Sequence, residues 1–177
     1  LANIPTLVHL TISGGPELLP CDLTSLEELR SLRLCTTPRC TVPKLPNRLS
    51  SFSATGIDNL ECLRGMKSLM WLNLNDNPNL SDLSPLAGCP NLNTLSVVDT
   101  AVSNLSPLAG HPGLKEITLS STKVTDVSPL ATIPTLEMIW LYGTAVEDVS
   151  CLATLPKLNN LNLRKTQVVD LSAFKGR

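Results

Sequence analysis

The chain has 177 residues, 42% hydrophobic and 16% charged, with a formal net charge of −1. That balance, with no basic stripe, excludes an electrostatic footprint for nucleic acid, and no apolar run approaches the roughly 18 residues that would span a bilayer. Six cysteines, at 21, 35, 40, 62, 89 and 151, lie singly rather than in the spacing of a disulfide framework or zinc site, which favours a reducing, cytoplasmic compartment.

In chain order, the first apolar set is Leu7, Leu10 and Ile12, and the second is Leu29, Leu32 and Leu34. Each reads LxxLxL, and the spacing of two between its last members is strand periodicity. Arg30, Arg33, Arg39, Lys44 and Arg48 gather here without aromatic partners and read as a solvated edge. From Cys35 to Asn59 one shortened unit is expected, with Leu49, Phe52 and Ala54 in the core and its register unassigned. Thr55 is placed there in the position that Thr100 holds later.

Leu69, Leu72 and Leu74 open the next unit, and Asn77-Pro78-Asn79 absorbs one extra residue before the following one. The segments starting at Leu92, Leu114, Leu136 and Leu158 then superimpose without a gap, with a period of 22 residues. A fixed period of that size means stacked identical units, none able to bury its apolar face alone. Apolar slots repeat at Val102, Val124, Val146 and Val168, and again at Leu108, Leu130, Leu152 and Phe174. The fold expected is an α/β repeat solenoid of about eight units in a single domain spanning 1–177. Leu1 to Leu7 copies Leu130 to Leu136, so residue 1 falls mid-repeat and a piece of a longer array is expected.

Between strands, Thr100, Thr122, Thr144 and Thr166 occupy one slot that Asn77 fills earlier. A hydroxyl both donates and accepts, so a structural ladder is the reading for them. Ser84-Pro85, Ser106-Pro107 and Ser128-Pro129 suggest a capping hydroxyl before a proline at the start of a tight helical turn. Cys151 and Ala173 replace that proline in the last two units. Asp82, Asn104, Asp126, Asp148 and Asp170 precede these serines by two residues; one carboxylate per repeat is an Asx turn rather than a cation site. His9 and His111 lie far apart with no ligating neighbours, so no metal and no cofactor are expected.

The LxxLxL units resemble the leucine-rich-repeat family, in its class with repeats of about 22 residues, and are similar at the level of the repeat to bacterial internalins and to a regulatory subunit of a protein phosphatase. That resemblance implies a horseshoe or arc with a concave parallel sheet, short 3-10 turns and loops on the convex side, and protein binding on the concave face. The family's usual ladder asparagine stands here only at Asn77, with threonine afterwards.

Residues between the leucines then face solvent. Both tryptophans and the single tyrosine fall on that face, and both phenylalanines in core slots. Trp and Tyr are the residues most enriched at interface hot spots. The candidate partner-binding residues are Met70, Trp71 and Asn73 at one ridge, and Met138, Trp140 and Tyr142 at another roughly 15 Å away by strand spacing. Between them the small residues Thr94, Ser96, Thr118 and Ser120 make a shallow trough, and Glu116 joins Thr94, Ser96 and Thr118 among the candidates. A non-enzymatic module binding a protein or peptide is expected, with a monomer favoured. The alternatives are a structural spacer, or a targeting module of a larger protein whose chemistry lies in other domains. The segment has no nucleophile and base at a meaningful spacing and no phosphate loop.

Overall fold

The computed structural model describes residue 4, residues 6–14, residues 22–36 and residues 44–176. Eight strands occur in these: β1 His9–Gly14, β2 Ser31–Thr36, β3 Ser51–Thr55, β4 Trp71–Asn73, β5 Thr94–Ser96, β6 Glu116–Thr118, β7 Met138–Trp140 and β8 Asn160–Asn162. They form one open parallel sheet in sequence order. The strands are short because each needs only enough length to set one central leucine or isoleucine toward the core. Leu32, Phe52, Leu72, Leu95, Ile117 and Ile139 are aligned across neighbouring strands and almost fully buried.

Register confirms the repeat and locates its defects. The step between paired residues is 22 from His9 to Ser31, from Thr94 to Glu116, from Glu116 to Met138 and from Met138 to Asn160. It is 20 from Ser31 to Ser51 and again from Ser51 to Trp71, so two consecutive units are short. From Trp71 to Thr94 it is 23. The extra residue falls between Asn77 and Leu80, since the Leu80 carbonyl accepts from the Ala101 N–H as the Val102 carbonyl does from Lys123. Leu49, Phe52 and Ala54 are core residues, as expected. Thr55 is not in the place of Thr100: Ser53 pairs with Asn73 and Asn73 with Ser96, which puts Ile57 in that slot and Thr55 on the sheet face opposite Cys35. The two short units remove the residues by which the threonine could be aligned.

The junctions follow one rule. A single carbonyl just before each strand accepts two successive N–H groups of the next unit, as Met70 does from Asn93 and Thr94 at 2.8 and 3.1 Å. At the other end of the strand the chain turns through a residue with positive φ: Gly56, Asp76, Asp99, Ser121, Gly143 and Lys165 hold this place. Four of them, Asp76, Asp99, Ser121 and Gly143, donate an N–H to the next unit.

The opposite side of the solenoid carries 3-10 turns at Glu61–Leu63, Ser84–Gly88, Ser106–Leu108, Ser128–Thr132, Ser150–Thr154 and Ser172–Phe174. The serines do not cap them. The residue before each makes no side-chain cap, and instead Asp82, Asn104, Asp126, Asp148 and Asp170 accept the serine N–H through Oδ1 at 2.7–2.9 Å. An Asx side chain that bonds the amide two residues on closes an Asx turn at the entry to each helical turn. The accepted hydrogen bonds hold the four aspartate carboxyls below their ordinary range. Replacing proline by Cys151 and Ala173 leaves the turn intact.

Candidate functional site

The sheet face turned away from the core is built from alternate strand residues. One row runs Ser51, Trp71, Thr94, Glu116, Met138 and Asn160, and the next runs Ser53, Asn73, Ser96, Thr118, Trp140 and Asn162. All the strand members of the expected ridges and trough therefore share one face, with Met70 immediately before β4 and Tyr142 two residues beyond β7. Met70 is 52% and Trp71 37% exposed, while Met138, Trp140 and Tyr142 are half-buried. The Lys165 ammonium lies 5.0 Å from the centre of the Tyr142 ring, and its hydrogen bond to Tyr142 raises its pKa. A cation over an aromatic ring is favourable where both stay near water, so this second ridge carries a positive charge at its edge.

The trough is partly self-satisfied. Ser96 donates its hydroxyl to Asn75 Oδ1 at 2.7 Å, and the same oxygen accepts the Val98 N–H at 2.9 Å. Asn73 accepts the Asn75 N–H at 3.1 Å. Asn73 and Ser96 thus stiffen the floor between β4 and β5. Thr94 and Thr118 are half-buried and keep the floor low beside the ridges.

The ladder behind the face is divided in its chemistry. Thr100, Thr122, Thr144 and Thr166 each donate to the carbonyl three residues back, at 2.6–2.8 Å. Asn77, fully buried, donates to the carbonyls of Ala54 at 2.9 Å and Leu74 at 2.8 Å and accepts the Ile57 N–H at 2.9 Å, so it alone joins two units. No group of three metal-binding side chains occurs among the described residues. Cys35, Cys62, Cys89 and Cys151 are free thiols; burial pushes Cys62 up to about 12 and raises Cys89 and Cys151 as well, so these last three are not poised as nucleophiles. Cys21, Arg39 and Cys40 lie outside the described residues.

A feature of the face not singled out by the repeat pattern lies where the strands begin. Lys67, Asn91, Asn93, Gly113 and Lys115 surround a hollow of about 460 Å³ next to Met70. The sequence signal was Gly113 itself, in a slot that holds Asn91, Thr135 and Lys157 in the units beside it. A side chain there would bring its Cβ to 2.8 Å from the Pro90 carbonyl oxygen. His111 fastens this turn from below. Its Nδ1 accepts the Gly113 and Leu114 N–H groups at 3.2 Å, which leaves the ring proton on Nε2, 3.0 Å from the Cys89 carbonyl. Burial lowers its pKa.

No protein-family model matches the chain, and no curated protein sequence matches it. Solved structures do. An internalin C2 from Listeria monocytogenes superimposes with a TM-score of 0.76 at 25% identity, over 94% of this chain and 76% of that one. A second internalin of the same species gives 0.73 at 25% identity, over 86% of this chain and 46% of that one. A leucine-rich-repeat protein from Leptospira interrogans shares the fold at 0.74 and 18% identity, over 98% of this chain and 53% of that one. The chain spans about half the length of these last two. The open sheet of eight parallel strands with short 3-10 turns matches these leucine-rich-repeat structures over nearly the whole length of this chain, a likeness of fold.

Proposed function

We propose that this module binds a protein or peptide on the concave face of its sheet, laid across the trough between the Met70–Trp71 ridge and the ridge of Met138, Trp140 and Tyr142. The observation that carries the reading is the placement of the large apolar side chains. Phe52 is sealed in the core, yet Trp71, one strand over, stands on the outer face with Met70, both among the few exposed large hydrophobics described. Amphipathic aromatics left on a rigid platform are the residues most often used as binding anchors. Solenoids of this kind offer extended concave surfaces for recognition. Glu116 with Lys115 and Glu137 adds mixed charge beside the trough, and Lys115 to Glu137 is a loose pair at 3.6 Å.

The test is affinity capture from the source cell with the native chain and with Trp71→Ala, Trp140→Ala and Tyr142→Ala combined, both checked for equal thermal unfolding. Proteins held by the first and lost by the second support the concave site. Equal retention by both refutes it and favours a spacer role, for which the Lys165 contact over Tyr142 is the supporting observation.

A further inference from the structure

The hollow at the strand entrances differs from the rest of the sheet face in its charge. Two ammonium groups, Lys67 and Lys115, flank it, two amides, Asn91 and Asn93, complete its wall, and no carboxylate lines it. Lys67 makes no ion pair among the described residues, and Lys115 reaches Glu137 only at 3.6 Å with about half its side chain in water, a contact worth little. Asn91 donates its amide to the Lys67 carbonyl at 2.7 Å, which fixes the wall. Asn93 accepts from the Thr94 hydroxyl through Oδ1 at 3.4 Å, so its NH2 group is not the one used in that contact. The depth comes from Gly113, because the neighbouring units fill its slot with a side chain. Met70, half exposed, forms the edge shared with the aromatic ridge.

We infer that this hollow receives a carboxylate of the bound peptide, an Asp or Glu side chain that sits one to three residues from a large apolar side chain packed on Met70 and Trp71. This rests on the concave-face reading and adds the chemistry of its occupant. Two ammonium groups, of which only Lys115 has a carboxylate nearby, in a hollow lined by no acidic side chain match a carboxylate, which accepts through two oxygens. The short offset follows because Lys67 and Met70 line the same hollow, and an extended ligand advances only roughly 3.3 Å per residue. A neutral ligand would leave the Lys67 charge uncompensated, and a cationic one would be repelled.

Selection of random dodecapeptides displayed on phage, run on the native protein, decides the matter. Peptides from it are then measured against Trp71→Ala and against Lys67→Glu combined with Lys115→Glu; both lysines are exposed, so the fold is retained. The expected result is enrichment of Asp or Glu within three residues of Trp, Phe or Leu, with affinity falling about tenfold or more on charge reversal. Selection on the charge-reversed protein then yields Lys or Arg at that place. Peptides that need Trp71 but bind the charge-reversed protein equally overturn the inference and leave the concave reading standing. A selection that returns no peptide dependent on Trp71 overturns both.

Discussion

The turn after β4 and the turns after β5 to β8 close the same gap with different side chains. Asn77 bonds backward to Ala54 and Ile57 in the preceding unit, whereas Thr100, Thr122, Thr144 and Thr166 bond only within their own turn. The difference follows the register. Asn77 stands where a 20-residue step upstream meets a 23-residue step downstream, and the threonines stand where the step is a constant 22. With equal units the strand junctions alone keep the backbone paired, and a local closure suffices. Where units change length, the buried Ile57 amide loses its automatic partner and an asparagine reaching across supplies one.

Asn77→Ala tests that lesson most severely. It strands the Ile57 N–H and the Ala54 and Leu74 carbonyls in a dry interior, which costs about 3–4 kcal/mol. Since repeat arrays gain stability unit by unit, β1 to β3 should then unfold before β4 to β8, giving a second transition in denaturant and early hydrogen exchange at Ile57. Asn77→Thr should recover only the Leu74 bond. Thr122→Val, by contrast, removes one 2.6 Å bond to the Leu119 carbonyl and costs about 1 kcal/mol without separating the halves. Equal losses for Asn77→Ala and Thr122→Val would show that the junction does not depend on the cross-unit bond.

Gly113→Ala sharpens the contrast within the regular half. Gly113 does not have a positive φ, so the cost is purely steric, a Cβ 2.8 Å from the Pro90 carbonyl oxygen and 3.3 Å from that of Leu92. Pushing those backbone atoms apart costs about 1–3 kcal/mol. Gly110→Ala, where nothing lies within 4 Å but φ is +67°, strains the chain by about 1 kcal/mol through its backbone alone. A urea midpoint for each separates crowding from conformational strain. Indistinguishable midpoints for Gly113→Ala and the native chain would mean that the Pro90 turn yields freely and the hollow is not held open by glycine.

How much of this could be read in advance depends on which interactions leave a periodic trace. The core slots and the strand face do, because one apolar side chain per strand must recur at each unit; Leu49, Phe52 and Ala54 were visible even in a short one. Trp71 and Trp140 were legible as face residues for the same reason. Thr55 misled because a threonine at an unassigned register looks like Thr100, and only the pairing of Ser53 with Asn73 separates them. The serine caps misled because each serine stands as the first residue inside its 3-10 turn, not as the residue before it, and its own N–H is taken by the Asp or Asn two residues earlier. The hollow arises from an absent side chain at Gly113 and a neighbour's carbonyl beneath it, and an absence in one unit makes no periodic pattern.

His111 offers the smallest effect and the most specific one, because it replaces an apolar slot residue, Cys89, Ile133 or Leu155 in the other units, by a titratable ring. Neutral, it accepts two N–H groups on Nδ1; protonated, that nitrogen becomes a donor facing donors, and the charge is buried. Burial sets its folded pKa below the ordinary 6.5, so the unfolded chain binds the proton more readily. The contribution to stability is therefore fully present above about 6.5 and is lost as pH falls below it through the depressed folded value. The aspartates at the 3-10 turns do not interfere, since their own loss begins only near and below the ordinary carboxylate range of about 4. Between pH 7.5 and 5 the native chain should lose midpoint in urea, and His111→Gln, which keeps a donor and an acceptor but does not titrate, should lose less. An equal slope in both proteins would show that the ring is not what couples this turn to the proton, and that the Gly113 floor is held by packing alone.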